Sequence, residues 1–252
     1  MNIEILKRIL IDAVDENDRQ LFFKGELTFA RKMEILSEGI RDSYVCDGRV
    51  RPPRAETMIG MPRLNNFQYC IEQAIVNNIE GDIIETGVWR GGACILAAAV
   101  TQFHHSNKKI FVADSFEGLP EPEEKYHADK NDEHYKMEFL KVAINKVKSN
   151  FKKYGLLNHN VVFIKGFFKD SLKTPEIKKL SVLRLDGDMY SSTWEVLTLL
   201  YKKLSVGGYL IIDDYALPAC KKAVDDFRQK NNITDEIITV DWTGIYWQKT
   251  KN

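Results

Sequence analysis

SVLRLDGDMYSSTWEVLTLLYKKLSVGGYLIIDDY, residues 181–215, is the stretch whose reading decides the fold. Two short apolar runs, Ser181–Leu185 and Gly208–Ile212, have the length and character of buried parallel strands, and each ends in carboxylates. The segment between them reads as a helix. Ser192 and Glu195 have capping-box spacing, and Trp194, Leu197, Leu200, Tyr201 and Leu204 fall on one face. Gly207 and Gly208 are expected to supply the left-handed turn that ends it. Strand, helix, strand in this length is one right-handed crossover unit of a parallel sheet. It brings Asp186 and Asp188 beside Asp213 and Asp214 at the carboxyl edge, where open α/β sheets bind their ligands. Four carboxylates there repel one another unless a cation or shared protons intervene. They read either as acidic caps and turn formers or as an oxygen-ligated site for Mg²⁺ or a similar hard cation.

Upstream, Asp82–Thr86 reads as the first strand and runs into Glu85-Thr86-Gly87-Val88-Trp89-Arg90-Gly91-Gly92, followed by a helix, Ala93 to about Phe103, that is apolar nearly all round. A glycine turn at a helix N-terminus lets a ligand approach the backbone. The dinucleotide fingerprint fails here, because Trp89 stands where the second glycine belongs. The spacing fits a nucleoside ligand without a pyrophosphate, or else a mere tight turn. The next strand, Ile110–Ala113, ends in Asp114, placed to accept ribose hydroxyls. After strand Val161–Ile164 comes a turn containing Gly166, Phe167 and Phe168, whose aromatic pair either flanks a purine or joins the core.

Between these strands, from Glu117 to about Glu138, the chain is charged and strandless, as mobile lids and insertions are. His127 and His134 lie in it and read first as solvated, second as a proton acceptor over the site. A helix, Phe139–Phe151, is expected to follow. The chain closes with a helix, Pro218 to about Gln229, and two strands, Glu236–Val240 and Ile245–Lys249, joined through Gly244 as an antiparallel hairpin.

The N-terminal part carries an amphipathic helix over 3–14, aromatics Phe22, Phe23 and Phe29, and a Gly-, Pro- and Arg-rich loop over 48–64. A second amphipathic helix runs from Leu64 to Ile75. This region is too short for a separate domain and is expected to cover the site or form a subunit contact. The whole chain of 252 residues balances 36 Lys and Arg against 36 Asp and Glu, so no basic surplus points to nucleic acid or an anionic membrane. No run approaches the roughly 18 apolar residues of a membrane span. Four scattered cysteines, without a CxxC pair, suit a reducing cytoplasm and argue against structural zinc.

TMIGMPRLNN (57–66), GDIIETGVWRGGA (81–93), DSFEGLP (114–120), residues 183–215 and PACKKAVDDFR (218–228) together resemble the macrocin O-methyltransferase family, whose members methylate sugar hydroxyls on antibiotics. The resemblance implies the Rossmann-like class I methyltransferase fold: an α/β, mostly parallel seven-stranded sheet with an antiparallel last strand and helices on both faces. It implies an N-terminal helical extension over 1–62, a methyltransferase domain over 63–252, a lid insertion and a homo-oligomer. S-adenosylmethionine would lie along Glu85, Thr86, Gly87, Val88, Trp89, Arg90, Gly91 and Gly92, with Glu85 and Gly87 at its methionine part. Asp114 and Ser115 would meet its ribose, with Met58, Gly166, Phe167 and Asp186 completing the set. Mg²⁺ would be held by Asp186, Asp213 and Asp214.

The acceptor is then expected to be a glycosylated small molecule or glycan. A sugar hydroxyl is a poor nucleophile at neutral pH, and a cation that binds it and lowers its pKa remedies that. Asp186 or Asp188 is the expected general base. Tyr190, Ser191, Tyr215, Arg54, Glu56 and Thr57 are expected near the acceptor. A catechol-type methyltransferase shares fold and metal but needs a flat aromatic slot. A nicotinamide oxidoreductase is disfavoured by the glycine spacing, and a non-catalytic cofactor-binding protein would not need the converging aspartates.

Overall fold

The computed structural model describes residues 2–40 and 42–251. In chain order the elements are α1 (Ile3–Leu10), α2 (Glu16–Lys24), α3 (Phe29–Glu38), α4 (Ser43–Cys46), α5 (Met61–Val76), β1 (Asp82–Thr86), α6 (Gly92–Phe103), β2 (Ile110–Asp114), α7 (Ile144–Lys153), β3 (Val161–Lys165), α8 (Phe168–Ser171), β4 (Leu180–Leu185), α9 (Tyr190–Leu200), β5 (Leu204–Ile212), α10 (Pro218–Lys230), β6 (Ile238–Thr239) and β7 (Ile245–Gln248). The strands form one seven-stranded sheet in the order β3-β2-β1-β4-β5-β7-β6. β1 to β5 pair in parallel, and β7 runs antiparallel to both β5 and β6. This is the doubly wound, class I methyltransferase arrangement that the sequence led us to expect.

The central strands are apolar on both faces because both faces are covered. Ile83 and Val182 join a core shared with α1, α3, α5, α6 and α7, whereas Ile84 and Leu183 join a second core under α9 and α10. The N-terminal helices contribute Ile5, Leu6, Ile9, Leu10 and Ile35 to the first of these cores. Phe22 and Phe23 pack on Tyr154, and Phe29 is left in solvent. Among the described residues no helix is long and apolar enough to cross a membrane.

Two local expectations in the decisive stretch need correction. Gly207 does adopt a left-handed conformation, with φ +85, but inside β5 rather than at the end of a helix. Leu180 pairs with Leu204 and Val182 with Tyr209, so the segment between them bulges out, and Gly207 serves the bulge. α9 ends earlier, in a 3-10 turn over Tyr201–Lys203. Nor do Ser192 and Glu195 cap that helix, because it begins at Tyr190 and Ser192 is already inside it. Its cap comes from Asp129, far upstream. The helix expected from Phe139 likewise starts only at Ile144, after a 3-10 turn over Glu138–Leu140.

Candidate active site at the carboxyl edge

Backbone hydrogen bonds continue one residue past each strand and fix how the site residues sit. Gly87 donates to the Ala113 carbonyl, Asp186 to Thr86 and Asp213 to Leu185, each at 2.9 Å. The first residues beyond three adjacent strands therefore stand in a row. Gly87 has φ +84, and a Cβ there would lie 1.6 Å from the Asp186 carbonyl oxygen. The glycine is required by the approach of β4's end, before any ligand is considered.

A cavity opens over this edge. Of the residues anticipated for the cofactor, Met58, Glu85, Gly87, Val88, Trp89, Asp114, Ser115, Phe167 and Asp186 line it, and so does Asp188. Thr86, Arg90, Gly91, Gly92 and Gly166 do not line it. Thr86 is buried in β1, and Arg90 donates to the carbonyls of Pro53 and Ala55 at 2.7 and 2.8 Å. Gly91 is the left-handed residue before α6, the Gly92 amide donates to the Glu56 carbonyl at 2.8 Å, and Gly166 donates to Asp114. Asp114 itself accepts the amides of Val88 at 2.8 Å and Phe116 at 2.7 Å, so one carboxylate organises both turns. Burial raises its pKa, and those amides partly offset the effect.

Beneath the cavity lies a charged network. Arg184, fully buried in β4, donates to Glu85, to Asp186 Oδ2 at 3.0 Å and to Asp213. Arg63 of α5 reaches Asp213 from the other side at 2.5 Å and Asp241 at 3.0 Å. Cys94 adds an S–H donated to Glu85 at 2.8 Å. Among the described residues no arginine pairs with Asp214; one of its oxygens accepts the amides of Gly187 and Asp188, each at 3.1 Å. Burial, then the neighbouring Asp188, Asp186 and Asp213, pushes the Asp214 carboxyl well above the usual range. Burial and Asp213 do the same to Asp186, against the pull of Arg184. Asp186, Asp213 and Asp214 each offer an oxygen within 4.8 Å of the others. Three hard, crowded carboxylate oxygens are the donor set a divalent cation takes.

Asp188 stands at the cavity with φ +56, and burial pushes its carboxyl up to about 6, with His134 opposing. His134 shares its Nδ1 with Asp132 at 2.8 Å, whereas His127 is exposed. The segment between β2 and α7 forms a wall of the cavity through Leu119, Pro120 and Leu140, and Trp89 Nε1 donates to the Phe139 carbonyl at 2.8 Å. Of the residues expected near an acceptor, Ser191 and Thr57 line the cavity. Tyr190 and Tyr215 instead donate to Asp226 and Asp225, Arg54 pairs with Asp12 and Glu16, and Glu56 pairs with Arg19 and Lys153. Sequence reasoning missed Arg184 and Arg63. A lone arginine inside an apolar strand was the available signal for the first, since an arginine is almost never fully buried unpaired.

A family model described as macrocin-O-methyltransferase (TylF) matches residues 2–249. The chain belongs to that family. It is an S-adenosylmethionine-dependent O-methyltransferase, and the cavity at the carboxyl edge is where such folds bind. The demethyldecarbamoylnovobiocin O-methyltransferase of Streptomyces niveus is 49% identical over 227 residues, covering 88% of this chain and 85% of its own. The 8-demethyl-8-(2,3-dimethoxy-alpha-L-rhamnosyl)-tetracenomycin-C 4'-O-methyltransferase of Streptomyces olivaceus is 45% identical over 206 residues, covering 81% and 79%. Among solved structures, the O-methyltransferase NovP superposes with a TM-score of 0.85 at 42% identity, covering 99% of this chain and 98% of its own.

Proposed function

We propose that this methyltransferase acts on a sugar hydroxyl that stands beside a second free hydroxyl, on a glycosylated small molecule, and that it uses a divalent cation, Mg²⁺, to do so. The observation that carries the reading is the convergence of Asp186, Asp213 and Asp214 beside a cavity that also holds Asp188. The relative named for a rhamnosyl-tetracenomycin supports a glycosylated acceptor.

S-adenosylmethionine supplies a methyl carbon activated by its sulfonium, and the bound cation would lower the pKa of a coordinated hydroxyl and orient it. The chain's own residues do the rest. Asp114 and the Glu85–Trp89 turn hold the nucleoside and methionine ends. Asp186, Asp213 and Asp214 would hold the cation, with Arg184 and Arg63 keeping Asp213 in place. Asp188, with Asp186 as the other candidate, receives the hydroxyl proton, a role worth about 10²–10⁴-fold. Leu119, Pro120 and Leu140 keep water from the sulfonium. The polar lining near Asp188, with Ser191, Ser192 and Glu195, suits further hydroxyls better than the two flat apolar walls of a catechol slot.

Four free thiols support a cytoplasmic setting. Exposed Phe29 and Met33 support a subunit contact through residues 1–62, the extension to the domain over 63–252. Metal removal tests the mechanism. Excess chelator should abolish turnover while S-adenosylhomocysteine binding, followed by calorimetry, stays largely intact. Full turnover in chelator would return the aspartates to the reading as caps and turn formers.

A further inference from the structure

Asp129 is the deepest residue of the segment that walls the cavity, with no exposed surface although Ala128 and Lys130 beside it are in solvent. Its two oxygens accept the amides of Tyr190 at 2.7 Å and Ser191 at 2.8 Å, the first two residues of α9. That helix has no cap of its own, since Met189 before it offers no side-chain acceptor. Among the described residues no lysine or arginine pairs with Asp129, so its charge is balanced by the amides and dipole of the helix end.

The peptide that Asp129 holds is the far end of the turn carrying Asp186 and Asp188. Asp188 is in the left-handed region, which a non-glycine residue keeps only where its surroundings impose it. Met189 donates back to the Gly187 carbonyl at 2.5 Å, and Asp214 grips the amides of Gly187 and Asp188. Two carboxylates thus clamp this turn. Asp214 belongs to the sheet, and Asp129 belongs to the lid.

We propose that Asp129 is a positioning residue that couples the lid to the turn presenting Asp188. With the lid over the site, its carboxylate completes α9 and fixes the turn. With the lid raised to admit an acceptor, two amides lose their partner and the turn is free to relax. Separating them leaves unpaired groups on both sides, so the order of the turn depends on the position of the lid. The catalytic half of this inference rests on Asp188 as the proton acceptor; the structural half does not.

The test compares wild type, Asp129→Ala, Asp129→Asn and the surface control Lys136→Ala, all saturated with S-adenosylhomocysteine. Residue-resolved hydrogen exchange is followed. Losing a helix cap converts to about 2- to 30-fold. Asp129→Ala should speed exchange by that factor in the lid and at residues 187–191 together, and Asp129→Asn, which keeps an acceptor oxygen, should fall between. Lys136→Ala, which removes an exposed pair with Glu133, should match wild type. On any acceptor the enzyme turns over, Asp129→Ala should lower kcat by a similar factor and leave the KM for S-adenosylmethionine unchanged. Faster exchange in the lid with Tyr190 and Ser191 still protected would overturn the coupling. Wild-type kcat in Asp129→Ala would overturn the catalytic half and leave the structural half to the exchange arm. The exchange arm needs no acceptor, so a wrong acceptor class would leave it standing.

Discussion

Arg184, one residue from the carboxyl end of β4, donates to Asp213, the first residue past β5, and both are buried. The same guanidinium holds Glu85 and Asp186, so it joins the lining of the cavity to the proposed cation ligands. Removing it leaves Asp186 without its arginine, Glu85 with only the Cys94 thiol and Asp213 with only Arg63. Arg184→Met should destabilise the fold by about 3–5 kcal/mol, the usual cost of breaking a buried pair from one side. Arg184→Lys should rescue little, because a point charge does not reach three partners in a fork. Urea unfolding without ligands checks this, and an unchanged midpoint would remove the network from the account.

Gly87 should tolerate no side chain. A Cβ there meets the Asp186 carbonyl, whereas at Gly155, also left-handed, nothing lies within 4 Å. Gly87→Ala should therefore cost roughly 1–3 kcal/mol of stability, as overpacking does, and abolish S-adenosylhomocysteine binding. Gly155→Ala should show only the backbone cost of a left-handed residue, about 1–2 kcal/mol, which Gly87→Ala bears in addition to its clash. Equal effects at the two sites would mean that conformation alone matters at Gly87.

The lid should tighten as pH falls. Burial works against a charged His134, but the Asp132 carboxylate and nearby Asp188 outweigh it and hold the pKa above the ordinary 6.5. A group whose pKa is raised in the folded state stabilises it fully below the unfolded value and loses that contribution as pH rises through the folded one. Hydrogen exchange of residues 120–140 should thus be slower below about pH 6.5 than above the folded pKa of His134. His134→Gln should flatten the dependence. A lid whose exchange, corrected for intrinsic rates, ignores pH would contradict this.

Much of this was legible in the sequence. Apolar runs ending in acids locate β4 and the second half of β5, and Asp82–Thr86 matches β1 to the residue, whereas Leu204, expected on the helix, opens β5. The convergence of Asp186, Asp213 and Asp214 followed from a crossover that places neighbouring strand ends together. What stayed hidden was long-range and polar. Asp129 caps a helix from more than sixty positions away, which no local spacing reveals. Tyr190, Tyr215, Arg54 and Glu56 had the right chemistry for an acceptor pocket, but each finds a partner elsewhere that only the folded chain supplies. Gly207 had the right conformation in the wrong element, because a bulge and a helix end demand the same backbone.

The central claim is methylation of a sugar hydroxyl with an adjacent free hydroxyl, and one measurement reaches it directly. The enzyme would be incubated with Mg²⁺ and methyl-labelled S-adenosylmethionine against paired acceptors: glycosylated small molecules and nucleotide sugars with a vicinal diol, the same compounds lacking one of the two hydroxyls, and simple catechols. Mass spectrometry would locate the label. The account predicts one labelled methyl on a diol sugar, and much slower labelling when the neighbouring hydroxyl is absent. Efficient labelling of catechols, with none on any diol sugar, would contradict it.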